Sequence, residues 1–201
     1  NMKCIIFYFI NTASKEYTKV AAKTATASSV HLYRNDFYGP QYAIDGRFQG
    51  HYDSPKGNIF HSEIQWYPWL KVELISTVNL HSVKIYNRAD WGGFRLHDVE
   101  VRAGTTQIKS KFKGIITENT LCGNFPGPGT DGSVHTITCN PTIQASVVTI
   151  QILGTHDEYL QIYEVEFFQA GKFSFKGVGL GEKFYCNMTF NLFNVVHYLF
   201  G

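Results

Sequence analysis

The sequence predicts an all-β fold in which two antiparallel sheets pack face to face. Short segments alternate between apolar and polar residues with a period of two, and clusters of glycine, proline, asparagine and aspartate separate them. No long stretch has the 3.6-residue period of an amphipathic helix. Aromatic residues make up 15% of the chain and charged residues 17%, below the roughly 25% usual in soluble proteins. Several short, half-buried strands joined by turns are what a β-sandwich requires.

Five segments carry this strand pattern in chain order. In the first, LKVEL, Leu70, Val72 and Leu74 share one face and Lys71 and Glu73 the other. The segments SVKIY, DVEVR, VVTIQIL and QIYEVEFF repeat the alternation, and the turn-rich stretches NDFYGP, YDSPKGN and NFPGPGTDG lie between strands. The 201 residues fit one domain, and the loops at one end of a sandwich are the expected place for function.

The two ends of the chain differ from this pattern. Residues 1–14 combine a lysine, an apolar run and small residues, which is typical of a secretory signal; a buried N-terminal strand is the alternative. The domain is expected over 15–170, followed by a C-terminal extension over 171–201. Asparagines interrupt the apolar end of that extension, so a membrane-spanning helix is not expected, although membrane association is an alternative to loose packing.

Cysteine spacing and net charge restrict the chemistry. Cys122 and Cys139 bracket a turn-rich loop, and a bond closing such a loop would stabilise the fold by about 3 kcal/mol in the entropic model. We therefore predict a disulfide and a secreted, extracellular protein. The formal net charge of +2 contains no block of like charges, so nothing indicates a nucleic-acid partner.

The stretch YNRADWGGFRL gathers donors around an indole. Arg88 and Arg95 are pure hydrogen-bond donors, and Asp90 can hold a guanidinium plane in place. Trp91 offers a flat apolar face, and two glycines after it allow a sharp turn. This combination suits a sugar or an anion. The alternative is a surface ion pair worth about 0 to 1 kcal/mol beside a tryptophan that anchors the core.

The same stretch resembles the Arg-x-Asp-x-x-x-x-Arg motif of the F-type lectins, or fucolectins. His61 precedes Arg88 at the spacing that the family signature requires, and YAIDG, YPWLKVEL and YEVEFF resemble the family's flanking segments. The resemblance covers roughly residues 19–169. It implies an eight-stranded antiparallel jelly-roll β-sandwich of the discoidin or coagulation-factor C-domain type.

The resemblance also implies a shallow pocket for terminal α-L-fucose. His61, Arg88 and Arg95 would form its polar triad, in which His61 accepts a hydrogen bond from a sugar hydroxyl. Protonation of His61 in mild acid is therefore expected to weaken binding. Asp90 would orient the arginines. Trp91 would stack on the sugar where relatives carry paired cysteines. The candidates for an apolar niche around the fucose methyl group, with Tyr52 ranked first, are Tyr52, His31, Tyr33 and Phe48.

A structural calcium ion (Ca²⁺) is implied beneath the binding loops. Hard cations take carboxylate and carbonyl oxygens. The ligands implied by position are the carboxylates of Asp45 and Glu164, the carbonyls of Tyr42, Arg47 and Tyr163, and Asn58 in place of the family's serine. The alternative for Asp45 is an ordinary Asp-Gly turn.

Fucosylated glycans or glycoproteins are the expected partners. A single shallow pocket binds weakly, so we expect a homo-oligomer or another assembly with several sites.

The competing function is a discoidin-like module that binds phospholipid or protein without fucose specificity. A glycosidase needs two carboxylates, and only Asp90 lies within the motif, so an enzyme is not expected. Innate immunity, adhesion and gamete recognition are all open as roles. Trp66 and Trp69 are expected in the core.

Overall fold

In a computed structural model of the chain, which describes residues 17–33, 36–48, 59–109 and 112–171, strands dominate and every strand pairing is antiparallel. The described strands are β1 (Tyr17–Val20), β2 (Ala22–Ala27), β3 (Leu32–Tyr33), β4 (Asp36–Phe37), β5 (Phe60–His61), β6 (Trp69–Tyr86), β7 (Val99–Gly104), β8 (Thr120–Phe125), β9 (Val134–Ile152), β10 (Gln161–Ile162) and β11 (Glu164–Ala170). Short 3₁₀ turns lie at Pro40–Ile44 and Gly93–Arg95. The predicted all-β antiparallel class is confirmed.

Several predictions fall outside the described residues. The expected signal, residues 1–14, is among them, and so are residues 172–201 of the expected extension. Tyr52 and Asn58 also lie outside. None of the helical turns in the described part of the chain is long and apolar enough to cross a membrane.

The strand β6 is long enough to serve both layers of the sandwich. Its first half pairs with β2, its second half pairs with β11, and the register against β9 shifts between Glu73 and Val78. Leu70 from the first half and Ile85 from the second half belong to one buried cluster. The two halves of β6, on either side of this irregularity, therefore contribute to a common core, and the connected sheet runs in the order β1-β11-β6-β9-β7-β8.

Burial along β6 departs from the simple alternation at one position. Leu70, Val72 and Leu74 are buried as predicted, but Lys71 is buried as well. Its ammonium group donates to Gln107 Oε1 at 3.0 Å and lies 3.4 Å from Glu73. Lys71 tolerates burial because these oxygens replace its water contacts.

The two tryptophans before and at the start of β6 have different environments. Trp69 is fully buried and packs with Ile108 and Ile116, as expected. Trp66 remains 50% exposed, so its expected place in the core is wrong. The reason is local: Trp66 precedes the strand, and Tyr67 turns the chain with a φ of 55°, in the left-handed region.

The disulfide between Cys122 and Cys139 is present, which confirms that prediction. It joins β8 to the first half of β9 and closes the segment between them. Within that segment, residues 126–133 form what we call the supporting loop. This loop contacts the motif described next.

Candidate binding site

The motif forms a loop, residues 87–96, which we call the binding loop. It is held from beneath by the supporting loop. The Gly93 N–H donates to Asp131 Oδ1 at 2.6 Å, and the Asn87 side-chain amide donates to the Thr130 carbonyl at 3.0 Å. A Cβ atom at Gly93 would lie only 2.5 Å from the Asp131 nitrogen, so the close approach of the two loops requires glycine there.

Main-chain contacts complete this support. The Gly132 N–H donates to the Arg88 carbonyl at 2.7 Å, and the Gly129 N–H donates to the Leu96 carbonyl at 2.8 Å. Both ends of the binding loop are therefore tied down at their backbone, and the exposed side chains of Trp91 and Phe94 take no part in these contacts.

Trp91 lies at the outermost turn of the binding loop. Its φ of 74° is in the left-handed region, which is uncommon for a bulky residue, and the side chain is 71% exposed. Gly92 follows with a φ of 104° and passes against the Arg88 side chain. Strained backbone of this kind concentrates at functional sites. The alternative that Trp91 anchors the core is excluded by its exposure.

Arg88 and Asp90 form a buried ion pair. Their side chains are 6% and 8% exposed, and the Arg88 Nε donates to Asp90 Oδ1 at 3.0 Å. One terminal nitrogen of Arg88 also donates to Gln161 Oε1 at 2.9 Å. The pair is therefore not a weak surface contact. It holds the Arg88 guanidinium in a fixed plane.

Gln161 connects Arg88 to His61. Because a guanidinium only donates, the oxygen of the Gln161 amide must face Arg88, and its nitrogen then donates to His61 Nε2. His61 Nε2 must therefore lack a proton. The proton is on Nδ1, which donates to the Ser62 carbonyl at 2.6 Å.

Burial keeps this histidine neutral. It lowers the pKa of His61 to about 3, and the positive charges of Arg88 and Arg95 act in the same direction. The expectation that His61 gains a proton in mild acid is therefore wrong for the folded protein. The imidazole keeps one charge state across the neutral and mildly acidic range.

Arg95 is held differently from Arg88. It ends the 3₁₀ turn Gly93–Arg95, and its guanidinium carbon lies 5.1 Å from the ring centre of Tyr159. Among the described residues no carboxylate pairs with it. A cation over an aromatic face keeps its in-plane donors available. Arg95 therefore keeps N–H donors available for a ligand, whereas Arg88 donates most of its hydrogen bonds to groups of the protein itself.

These side chains line one cavity of about 280 Å³. Its walls are His31, His61, Arg88, Trp91, Arg95 and Tyr159. The fold thus brings together four predicted site residues and the suggested loop residue His31, whose ring stacks on His61 at 4.6 Å. Phe48 packs instead on Tyr86 at 4.8 Å between ring centres.

Sequence reasoning did not identify Tyr159 and Gln161. Gln161 pairs with His61 in the short β5–β10 ladder, which is a contact between distant parts of the chain. The available signal was their position, since both lie within the four residues before the recognised YEVEFF segment. Alternation also places positions 159 and 161 on one side of an extended chain.

Two of the predicted cation ligands meet beneath the loops. The 3₁₀ turn containing Tyr42 ends at Asp45, and the next N–H, of Gly46, donates to Glu164 Oε2 at 3.0 Å. The pKa of Glu164 is raised to about 7, mainly by burial and in part by the charge of Asp45. Two neighbouring carboxylates, one of them buried, form an oxygen-rich place that suits a hard cation.

The hydrogen bonding around Asp45 is also consistent with an ordinary turn that binds no cation. The Arg47 N–H donates to Asp45 Oδ1 at 3.0 Å, as in an Asp-Gly turn. In the described ranges no three His, Cys, Asp or Glu side chains form a metal-binding cluster. A cation here would therefore depend on main-chain carbonyls, for which Tyr42, Arg47 and Tyr163 are the predicted donors.

Comparisons with known proteins agree with this architecture. The family model described as F5/8 type C domain matches residues 24–165. Fucolectin-5 of Anguilla japonica is 33% identical over 127 residues, which is 63% of this chain and 62% of that protein. The chain thus spans less than two thirds of this relative.

Solved structures have the same fold. A fucolectin from striped bass (Morone saxatilis) serum aligns with a TM-score of 0.59 and 26% identity, over 74% of this chain and 45% of that one. A fucose binding module of Streptococcus pneumoniae aligns with a TM-score of 0.57 and 24% identity, over 82% of this chain and 99% of that one. The chain therefore belongs to the F5/8 type C family of discoidin-like domains, and its resemblance to the F-type lectins is confirmed.

Proposed function

We propose that the protein is a lectin that binds terminal α-L-fucose in the cavity between the binding loop and His61. The observation that carries this proposal is the meeting of two guanidinium groups and an exposed indole around one cavity of about 280 Å³. The two relatives named above as fucolectins and the bacterial fucose binding module support the choice of sugar. This is a binding function and needs no catalytic group.

The cavity residues have distinct roles in this proposal. Arg95 supplies donors to the ring oxygen and hydroxyls, and Arg88 adds a donor from a plane fixed by Asp90. The indole of Trp91 stacks on the C–H face of the sugar. The Tyr159 ring supplies apolar surface for the fucose methyl group. A hydroxyl reaches His61 Nε2 only by displacing the Gln161 amide.

A structural calcium ion is a further part of the proposal. Asp45 and Glu164 would bind it through carboxylate oxygens, with carbonyls of Tyr42, Arg47 and Tyr163. The raised pKa of Glu164 supports this assignment, because burial and the charge of Asp45 outweigh the opposing charge of Lys19, so the carboxylate would be stabilised by additional positive charge. Calcium would supply that charge and hold the turn at Asp45 against β11.

The proposed setting is extracellular. The disulfide between Cys122 and Cys139 supports an oxidising compartment. A monovalent cavity of this size binds one sugar weakly, so we propose that a homo-oligomer or a multivalent surface supplies avidity.

The test is a titration with free L-fucose, D-galactose and D-mannose, read by tryptophan fluorescence and calorimetry. Saturable binding of L-fucose is expected, and Arg95→Ala is expected to abolish it with an unchanged far-UV spectrum. Arg102→Ala is the matched control, because Arg102 pairs with Glu100 on β7, outside the cavity lining. Wild-type protein that binds anionic vesicles but not L-fucose would favour the discoidin-like alternative, for which the exposed Trp91 and Phe94 provide an apolar surface.

A further inference from the structure

A second concave surface lies next to the cavity and has no role in the proposed fucose site. It is a groove of about 670 Å³, which we call the aromatic groove. Its apolar walls include Trp66, Tyr67 and Phe112, and its polar lining includes Gln65, Lys113 and Asp157. Of these apolar residues, Tyr67 and Phe112 are half-buried and Trp66 stays 50% exposed; a large exposed aromatic side chain in a concave site, beside a few polar groups, is characteristic of ligand-binding surfaces.

Buried side chains hold the groove in a fixed shape. The amide nitrogen of the buried Gln151 donates to the Tyr67 carbonyl at 3.0 Å and to the Gly114 carbonyl at 2.8 Å. The indole N–H of the buried Trp69 donates to the Phe112 carbonyl at 3.1 Å. Both walls are therefore tied to the core, and a ligand would not have to order them on binding.

The groove continues the cavity along one pair of chain segments. His61 and Tyr159 line the cavity, whereas Gln65 and Asp157 line the groove. The bridge between Gln65 and Glu158 extends the pairing of His61 with Gln161. At about 3.3 Å per extended residue, His61 and Gln65 are at most ~13 Å apart. A short oligosaccharide that begins in the cavity reaches that far.

The charges in the groove favour a neutral occupant. Lys113 and Asp157 bring opposite charges to the same surface, so the groove has no excess charge that would select an anion. Trp66 and Tyr67 lie with ring centres 5.5 Å apart and planes at 64°, which gives two aromatic faces of different orientation. Sugar rings combine apolar C–H faces with hydroxyl edges, and this lining matches both.

We propose that the aromatic groove is a subsite for the inner sugars of the same glycan whose terminal fucose occupies the cavity. This inference rests on the proposed function and adds a preference for longer, neutral glycans. Trp66 stacks on an inner sugar ring, and the side chains of Gln65 and Asp157 form hydrogen bonds with the hydroxyl groups of that sugar.

The experiment compares L-fucose, a neutral fucosylated trisaccharide and a neutral fucosylated hexasaccharide by calorimetry on the full chain. Wild-type protein is expected to bind the hexasaccharide about three- to tenfold more tightly than L-fucose, which is the effect of one aromatic contact. Trp66→Ala is expected to remove this gain and to leave the affinity for L-fucose unchanged. Ile75→Ala, which truncates an exposed side chain at the register shift of β6, is the matched control and is expected to keep the gain.

The outcomes separate the two proposals. Wild-type affinity that does not depend on glycan length, or a gain that Trp66→Ala retains, overturns the subsite and leaves the fucose cavity in place. Loss of the gain in Ile75→Ala as well as in Trp66→Ala also overturns it, because the effect would then not belong to the groove. Wild-type protein that does not bind L-fucose overturns the proposed function itself. Saturation-transfer NMR provides a second readout, since inner-sugar protons are expected to receive saturation from wild type and not from Trp66→Ala.

Discussion

Replacing Gln161 by glutamate is expected to make the cavity sensitive to pH. The wild-type amide accepts from Arg88 and donates to His61 Nε2, which requires a neutral imidazole. A carboxylate of nearly the same shape still accepts from Arg88 but cannot donate. It places a negative charge beside the ring nitrogen and therefore favours the imidazolium.

The size of the expected change in the His61 pKa follows from the burial of this residue. Its pKa lies at about 3 against an ordinary value of 6.5, which corresponds to roughly 5 kcal/mol in favour of the neutral ring. An opposite charge at hydrogen-bond distance raises a pKa by ~1 to 3 units, so the Gln161→Glu variant is expected to titrate well above wild type.

The same shift sets the pH dependence of stability. Above pH 6.5 both folded and unfolded wild-type chains hold His61 neutral, so this residue contributes no pH dependence. Below that value His61 binds a proton in the unfolded chain but stays neutral in the folded chain. The free energy of unfolding therefore falls by about 2 kcal/mol at pH 5. The loss is expected to be smaller in Gln161→Glu.

The assay is an NMR titration of the His61 ring, with urea unfolding and fucose binding measured at pH 7.5 and 5. With calcium at a saturating concentration, which keeps Glu164 ionised, wild-type fucose affinity is expected to stay constant across this range, whereas that of Gln161→Glu changes. Gln144→Glu, the same substitution at an exposed position on β9, is expected to behave as wild type. A wild-type His61 that titrates near its ordinary pKa, or wild-type binding that weakens at pH 5, would refute the reasoning.

The other predictions concern the loops, the cation and the disulfide. Arg95→Lys keeps the charge but loses the planar fork over Tyr159, so fucose affinity is expected to fall about tenfold at an unchanged Tm; equal affinity in a calorimetric titration contradicts this role. Trp91→Gly removes the strained positive φ, so thermal unfolding is expected to show a Tm at or above that of wild type while fucose affinity falls; a lower Tm argues against strain. Chelation with EDTA is expected to lower both Tm and fucose affinity, and added calcium to restore both; no response in differential scanning fluorimetry counts against the cation. Replacing Cys122 and Cys139 together by alanine, which opens a link with a sequence separation of 17, is expected to cost about 3 kcal/mol in urea unfolding and to weaken fucose binding; unchanged affinity would mean that the supporting loop holds without it.

The sequence was informative where a local pattern decides the structure. Alternation located the strands, because one face of each is buried, and Leu70, Val72 and Leu74 follow it. It failed at Lys71, because the loop that covers this side chain is distant in sequence. The exposure of Trp66 depends on a turn at Tyr67 that residue type alone does not indicate.

In the candidate site, too, residues of a local motif could be predicted from the sequence, and residues positioned by distant contacts could not. The binding loop is contiguous, so its donors and its indole were visible as one motif. Pairing with the β5 segment brings Tyr159 into the cavity lining and Gln161 into contact with Arg88 and His61, so the places of both residues depend on the tertiary fold. The pKa of His61 could not be predicted either, because burial sets it and burial is a property of the assembled domain.

The supporting loop also affects how this surface could change during evolution. Its contacts reach the main chain of the binding loop at Arg88, Gly93 and Leu96. Mutations at Trp91 and Phe94, whose side chains point outward, would leave those contacts intact. Sugar preference could therefore diverge by single substitutions at these two positions, in natural lineages or in a selected library, without first acquiring compensating mutations in the scaffold.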